Sequence, residues 1–193
     1  MIWQDFVHCF GYPAPGSAVD LQALGLEQNQ TLRSFAAEVG LGTFADGLIS
    51  IGSLRELGAQ LCGWASWVPA DSRLFGSTAL GLLFLVSGDD DVWVIDAQEG
   101  IVVESDLSVA ELLHQVTSGE LLRGSLRASL FQAWNDRSGA LPPESVLCPT
   151  PALPLGGTWS ADTLARVSLP VYLAFTSSLF RPDGDTPVEL RRR

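Results

Sequence analysis

At 193 residues, 47% of them hydrophobic and only 17% charged, the chain can bury a sizeable core without staples and is too apolar for a disordered tail or a coiled coil. Twenty-two acids stand against eleven bases, every one an arginine, and the net charge of −11 repels nucleic acid and anionic membrane while attracting basic partners. Three of those arginines are the terminal "RRR", so residues 1–190 carry 22 acids against 8 bases.

The opening "MIWQDFVHCF" has no basic start, long apolar core or small-residue cleavage site, so it does not read as a secretory signal and a cytoplasmic location is expected. Ile2, Trp3, Phe6, Val7 and Phe10 fall on one helical face, and "GYPAPG" at 11–16 then breaks the chain. Over 30–39 the spacing predicts a helix with Leu32, Phe35, Ala36 and Val39 on one side and Gly40 as its C-terminal cap. "LGTFADGLISI" predicts a glycine-rich turn leading into a short buried strand. Ser53 and Glu56 have capping-box spacing and open a helix through Leu54, Leu57, Leu61 and Trp64. "VPADSRLFGS" at 68–77 is polar and turn-rich, which divides the chain into 1–70 and 71–193.

Beyond that boundary the period changes from helix to strand. "ALGLLFLVS", "DVWVID" and "GIVVES" predict an antiparallel meander joined by short acidic turns. The longest apolar run, "ALGLLFLV", is far short of the ~20 residues that cross a bilayer, so no membrane span is expected. Ser108 and Glu111 form a second capping box, opening a helix that ends near Gly119, and a longer helix is predicted over 120–136. "GALPPESVLCPTPALPLGG" at 139–157 reads as a loop, and "LARVSLPVYLAFTSSLF" as a strand or loop entering a closing helix. The expected architecture is α+β: a helical N-terminal subdomain packed on a small antiparallel sheet, three or four strands wide, with flanking helices.

Between Leu74 and Leu122 there are nine acids and no arginine, and the densest point is the triplet Asp89, Asp90, Asp91. An EF-hand calcium loop starting at Asp89 would need glycine at the sixth position and glutamate at the twelfth, where this chain has Val94 and Gly100. Asp89 and Asp91 form a D-x-D pair of the kind some metal-dependent nucleases use, but no third carboxylate or histidine motif stands beside them. No metal and no cofactor are therefore expected, and a metal-dependent hydrolase is the lesser reading. Gly-Asp-Asp-Asp also suits a hairpin turn. Turn chemistry alone leaves the acidity of the neighbouring turns unexplained, which points to a contact surface for a basic partner. Its candidate residues are Asp89, Asp90, Asp91, Asp96, Glu99, Glu104 and Asp106, with Trp93 as a candidate anchor. The turns at 87–91 and 97–100 should lie at opposite ends of the sheet, so a continuous patch needs Glu104, Asp106 and the following helix.

Catalytic residues are not predicted. The chain has no G-x-S-x-G, and its only histidines, His8 and His114, read as packing or surface residues. "GLGTFADG" has no lysine to serve a phosphate and reads as turn chemistry. Cys9, Cys62 and Cys148 are too scattered for a disulfide framework or a zinc site. The six tryptophans lack the basic neighbours that nucleic-acid stacking needs and are expected mainly in the core.

"EVGLGTFADGLISI", followed by "GW" at 63–64, resembles the GAD-like domain. "FGSTALGLLFLV", "VWVIDAQEG", "PALPLGG" and "LARVSLPVYLAF" resemble the C-terminal half of the Tdi-type immunity proteins of bacterial type VI secretion systems, which combine these two halves in the same order. The resemblance spans roughly residues 25–175 and implies a cytoplasmic protein that binds and silences a co-produced effector toxin, typically a DNase, with no catalytic residue of its own. Expectations of other classes are a small-ligand or peptide-binding module resting on the GAD-like half, and an adaptor for secretion.

Overall fold

The computed structural model describes residues 2–15, 21–52, 61–88, 90–118, 124, 126–180 and 189–192. Most of the helix predicted from Ser53, Asp89 itself, and the start of the helix predicted over 120–136 lie outside these residues.

The fold is mixed α+β, built on one meander of six antiparallel strands in chain order: β1 (Gly42–Phe44), β2 (Ile49–Ile51), β3 (Arg73–Thr78), β4 (Leu82–Ser87), β5 (Asp91–Asp96) and β6 (Ile101–Glu104). The strand Glu189–Arg192 adds to β6 in parallel, while Ser145–Pro149 (β7) and Leu164–Ser168 (β8) pair as a separate two-stranded sheet. We number Glu189–Arg192 as β9. The five α-helices among the described residues are α1 (Gln4–Phe10), α2 (Gln30–Glu38), α3 (Val109–Gln115), α4 (Ala128–Ser138) and α5 (Leu169–Leu179).

The sheet is wider than the three or four strands expected, for two local reasons. In "LGTFADGLISI" the residues before the turn are themselves a strand, and Ala45 and Asp46, at φ 47° and 56°, turn the chain back on itself. Residues 73–77, expected as part of a polar boundary, belong to β3, which pairs with β2 on one side and β4 on the other. The hydrogen-bonded ladder therefore runs unbroken through residues from both sides of position 70. Within the loop predicted over 139–157, residues 145–149 form β7, because β8 supplies a partner for their backbone.

Strand alternation explains where the core lies. Leu82, Phe84, Val86 and Val92 point to one face, into a cluster with Phe6, Phe35 and Phe44 from the N-terminal third and with Leu112 of α3 and Phe131 of α4. Leu83, Leu85, Ile95 and Val102 point to the other, against Trp64, Tyr172, Leu173 and Phe180. A strand covered on both faces reads as a continuous apolar run, which is why β4 is "LLFLVS" rather than an alternating pattern. Each such side chain contributes ~1.5–3 kcal/mol by leaving water. Ile2 lies before the first turn of α1 and is exposed, whereas Trp3, Phe6 and Phe10 are buried as the helical spacing predicts.

Two polar groups inside this core have backbone or hydroxyl partners. The buried Gln98 donates from Nε2 to the Leu147 carbonyl at 2.7 Å and fastens β7 to the end of the large sheet. Trp64 donates from Nε1 to Thr176 Oγ1 at 3.2 Å, tying the 3-10 segment Cys62–Trp67 to α5.

Gly100 closes the β5–β6 turn at φ +71°, and a Cβ there would run into the ring of the buried Phe180. Gly100→Ala therefore combines left-handed strain with overpacking and should cost ~2–4 kcal/mol. Denaturant unfolding checks this, and a loss below ~1 kcal/mol would mean that Phe180 moves aside freely.

Candidate functional site

Between the large sheet, α3 and the start of α4 lies a groove of about 680 Å³. Its floor consists of two cross-strand rows, Leu82–Asp96–Ile101 and Phe84–Val94–Val103, whose members face the same side because β4, β5 and β6 pair in that register. Leu107, Leu112 and Gln115 form one wall and Arg127 stands at the other. The capping box predicted at Ser108 fixes the entry of α3: Ser108 Oγ accepts from the Glu111 N–H at 3.3 Å, and Glu111 Oε2 accepts from the Ser108 N–H at 2.8 Å. The Ser108 hydroxyl also donates to Glu111 Oε2 at 2.7 Å, and the backbone and hydroxyl hydrogen bonds from Ser108 together hold the Glu111 carboxyl below its ordinary range.

Asp96 is the polar member of the floor. Its Oδ1 accepts from the backbone N–H groups of Gln98 at 3.0 Å and Glu99 at 3.1 Å, which shapes the β5–β6 turn. Burial pushes its carboxyl from 3.8 up to about 6; the neighbouring Glu99 charge also raises it, while the two backbone hydrogen bonds and Arg127 pull it down. Behind the sheet, the buried Tyr172 hydroxyl has no hydrogen-bond partner among the described residues, and burial, with Cys148 and Asp96 nearby, holds it well above the usual phenol range.

Glu99 is not a free acid. Arg127 donates from Nη2 to Glu99 Oε1 at 2.8 Å and lies 4.3 Å from the centre of the Trp159 ring, whose Nε1 also donates to Glu99 at 3.4 Å. Arg127 makes these contacts from a left-handed backbone, φ 45° and ψ 43°, at the N-cap of α4. α4 starts at Ala128, so Arg127 precedes its first turn and its side chain stands at the lip of the groove.

The expected contact residues fall into three places. Asp96, Glu99 and Asp106 line the groove. Asp90 and Asp91 stand at the other end of β5; Asp90 accepts from Asn29 Nδ2 at 3.2 Å, while Asp91 is exposed. Trp93 and Glu104 are directly paired across β5 and β6 on the face away from the groove, where Trp93 packs half-buried against the second core cluster. The D-x-D pair cannot be assembled from the described residues because Asp89 is not among them, and the described residues contain no cluster of three or more His, Cys, Asp or Glu side chains able to hold a metal ion. Sequence reasoning missed Arg127 and Trp159, which lie 28 and 60 residues from Glu99. The apolar floor had a signal, the alternation in "DVWVID" and "GIVVES".

Because the folded Asp96 carboxyl holds its proton more tightly than an unfolded one, its contribution to stability is present below about pH 4 and is lost as pH rises through about 6. Asparagine keeps an oxygen for both backbone donors and carries no charge. Asp96→Asn should thus stabilise the protein by on the order of 2–3 kcal/mol at pH 7.5, with the gain shrinking toward zero near pH 4. Denaturant titrations of both proteins at the two pH values measure this, and equal stability at pH 7.5 would mean that the carboxylate is well hydrated.

The chain matches no family model and none of the curated proteins. It is similar in structure to Atu4351 from Agrobacterium tumefaciens, solved by crystallography, with a TM-score of 0.74 at 14% sequence identity over 98% of this chain and 92% of that one. At that identity the likeness establishes a shared mixed α+β fold. No helix among the described residues is long and apolar enough to cross a membrane.

Proposed function

We propose that this chain is a cytoplasmic immunity protein that binds a cognate type VI secretion toxin, a basic DNase, and neutralises it by direct contact. In this reading residues 1–70 are the GAD-like part, which adds β1 and β2 to the sheet and packs α1 and α2 into its core, and residues 71–193 are the Tdi-type part. One observation carries it: a single apolar groove has Asp96 and Glu99 at one end and Asp106 at the other, so acids from opposite ends of the β5–β6 hairpin share one concave surface. A nuclease must present positive charge to the phosphate backbone. A protein of net charge −11 that offers acids around an apolar floor can compete for that surface, with long-range attraction setting the capture rate and apolar burial the lifetime. Inhibition of this kind requires no catalytic group.

The groove also supports a second reading, a small-ligand or peptide-binding module, since its volume falls within the range of small-molecule sites. The two readings separate on the protein encoded by the adjacent gene. Under the immunity reading that protein arrests growth when expressed alone, and co-expression of this chain restores growth and yields a stable complex. An adjacent product that is harmless, or a toxin that this chain neither binds nor silences, would sink the reading.

Asp89→Asn, Asp90→Asn and Asp91→Asn together remove three acidic charges while keeping a side-chain oxygen at each position. Association with the toxin should slow about tenfold at low salt, the difference should collapse near 0.5 M salt, and the melting temperature should stay unchanged. Stopped-flow association at two ionic strengths provides the measurement.

A further inference from the structure

Resting on the immunity reading, we propose that the groove seats a short segment of the toxin in which one arginine or lysine stands beside apolar side chains, the cation meeting the Asp96 carboxylate and the apolar side chains lying on Val94, Ile101 and Val103.

The charge at the lip selects this occupant. Asp96, Glu99 and Asp106 line the groove against the single cation Arg127 among its described lining residues. Arg127 is already hydrogen-bonded to Glu99 and stacked on Trp159, so an anionic group entering here would meet three carboxyl side chains and one cation whose charge Glu99 already balances. A wholly apolar occupant would fit Val94, Ile101 and Val103 but would strip the remaining water from Asp96, an uncompensated cost for an ionised carboxylate. A cation removes that cost. Among the described residues both donors to Asp96 go to Oδ1, so Oδ2 is the oxygen left for the incoming group.

The same geometry makes binding sensitive to pH. Glu99 and Arg127 flank Asp96 on the groove side, Asp106 lines the far end, and Tyr172 and Cys148 lie behind the sheet. Tyr172 and Cys148 are both shifted upward by burial and remain neutral through the relevant range. With the Asp96 carboxyl at about 6, the ionised form dominates at pH 7.5 and is scarce at pH 5, so affinity for a cationic segment should fall on the order of tenfold between them.

The test titrates the full-length 15N-labelled chain with acetyl-Leu-Arg-Leu-amide and with the same peptide carrying norleucine in place of arginine. The expected result is saturable amide shifts at Val94, Asp96, Ile101 and Val103 with the arginine peptide, weakened about tenfold at pH 5 and lost in Asp96→Asn, whose dispersed spectrum shows that it is folded. Equal binding of the norleucine peptide, shifts confined to other surfaces, or undiminished binding by Asp96→Asn would each overturn the proposal. In a second arm, Asp96→Asn should speed dissociation of the toxin complex at least tenfold. Rescue of growth with an unchanged dissociation rate overturns the groove assignment alone, whereas failure of rescue by the native chain overturns the immunity reading itself.

Discussion

The whole structure depends on covering a sheet that is apolar on both faces. β4 and β5 present large side chains to each side, and a sheet of this kind is stable only if two separate layers exclude water from it. The N-terminal third, α3 and α4 form one layer, and the Cys62–Trp67 segment, α5 and the turn to Phe180 form the other. Gln98 fastens β7 to the end of the large sheet, and the Trp64–Thr176 hydrogen bond ties together two parts of the second layer.

The groove follows from that arrangement. A seven-residue helix such as α3 is ~10 Å long and spans about two strands, so it shields part of β4 and β5 and leaves the rows ending at Ile101 and Val103 half-covered among the described residues. Those residues are apolar because they belong to the same alternating strands that feed the core. Asp96 enters the floor for a different reason: the β5–β6 turn needs a side chain that accepts backbone N–H groups, and the register places that residue on the groove face. A turn-forming acid thereby becomes a half-buried carboxyl with a raised proton affinity.

Around this carboxyl the electrostatics are local and specific. A stretch of chain with nine acids and no arginine suggests a surface of unpaired charge. In the folded protein an arginine from beyond that stretch comes to Glu99, and a tryptophan from the loop before β8 stacks on it. The left-handed conformation of Arg127 is a cost that its contacts with Glu99 and Trp159 help to offset. Asp91 and Asp106, both exposed, lie at the same end of the β5–β6 hairpin.

Much of the molecule was legible from local pattern. The meander of β4, β5 and β6, the Ser108 capping box, the helical face of Trp3, Phe6 and Phe10 and the closing helix after "LARVS" all follow from spacing, because each is set by interactions within a few residues of chain. The net acidity and its concentration before Leu122 are likewise properties of the sequence alone. The width of the sheet was not legible, since the stretch 68–77 reads as a polar, turn-rich boundary until β2 and β4 claim the backbone groups of β3 on either side. Nor was the site: which acids share a groove, which one is paired and which is half-buried depend on strand register and on Arg127 and Trp159 arriving from distant parts of the chain. Long-range pairing is decided by how two apolar faces are covered at once, and no single stretch of residues carries that information.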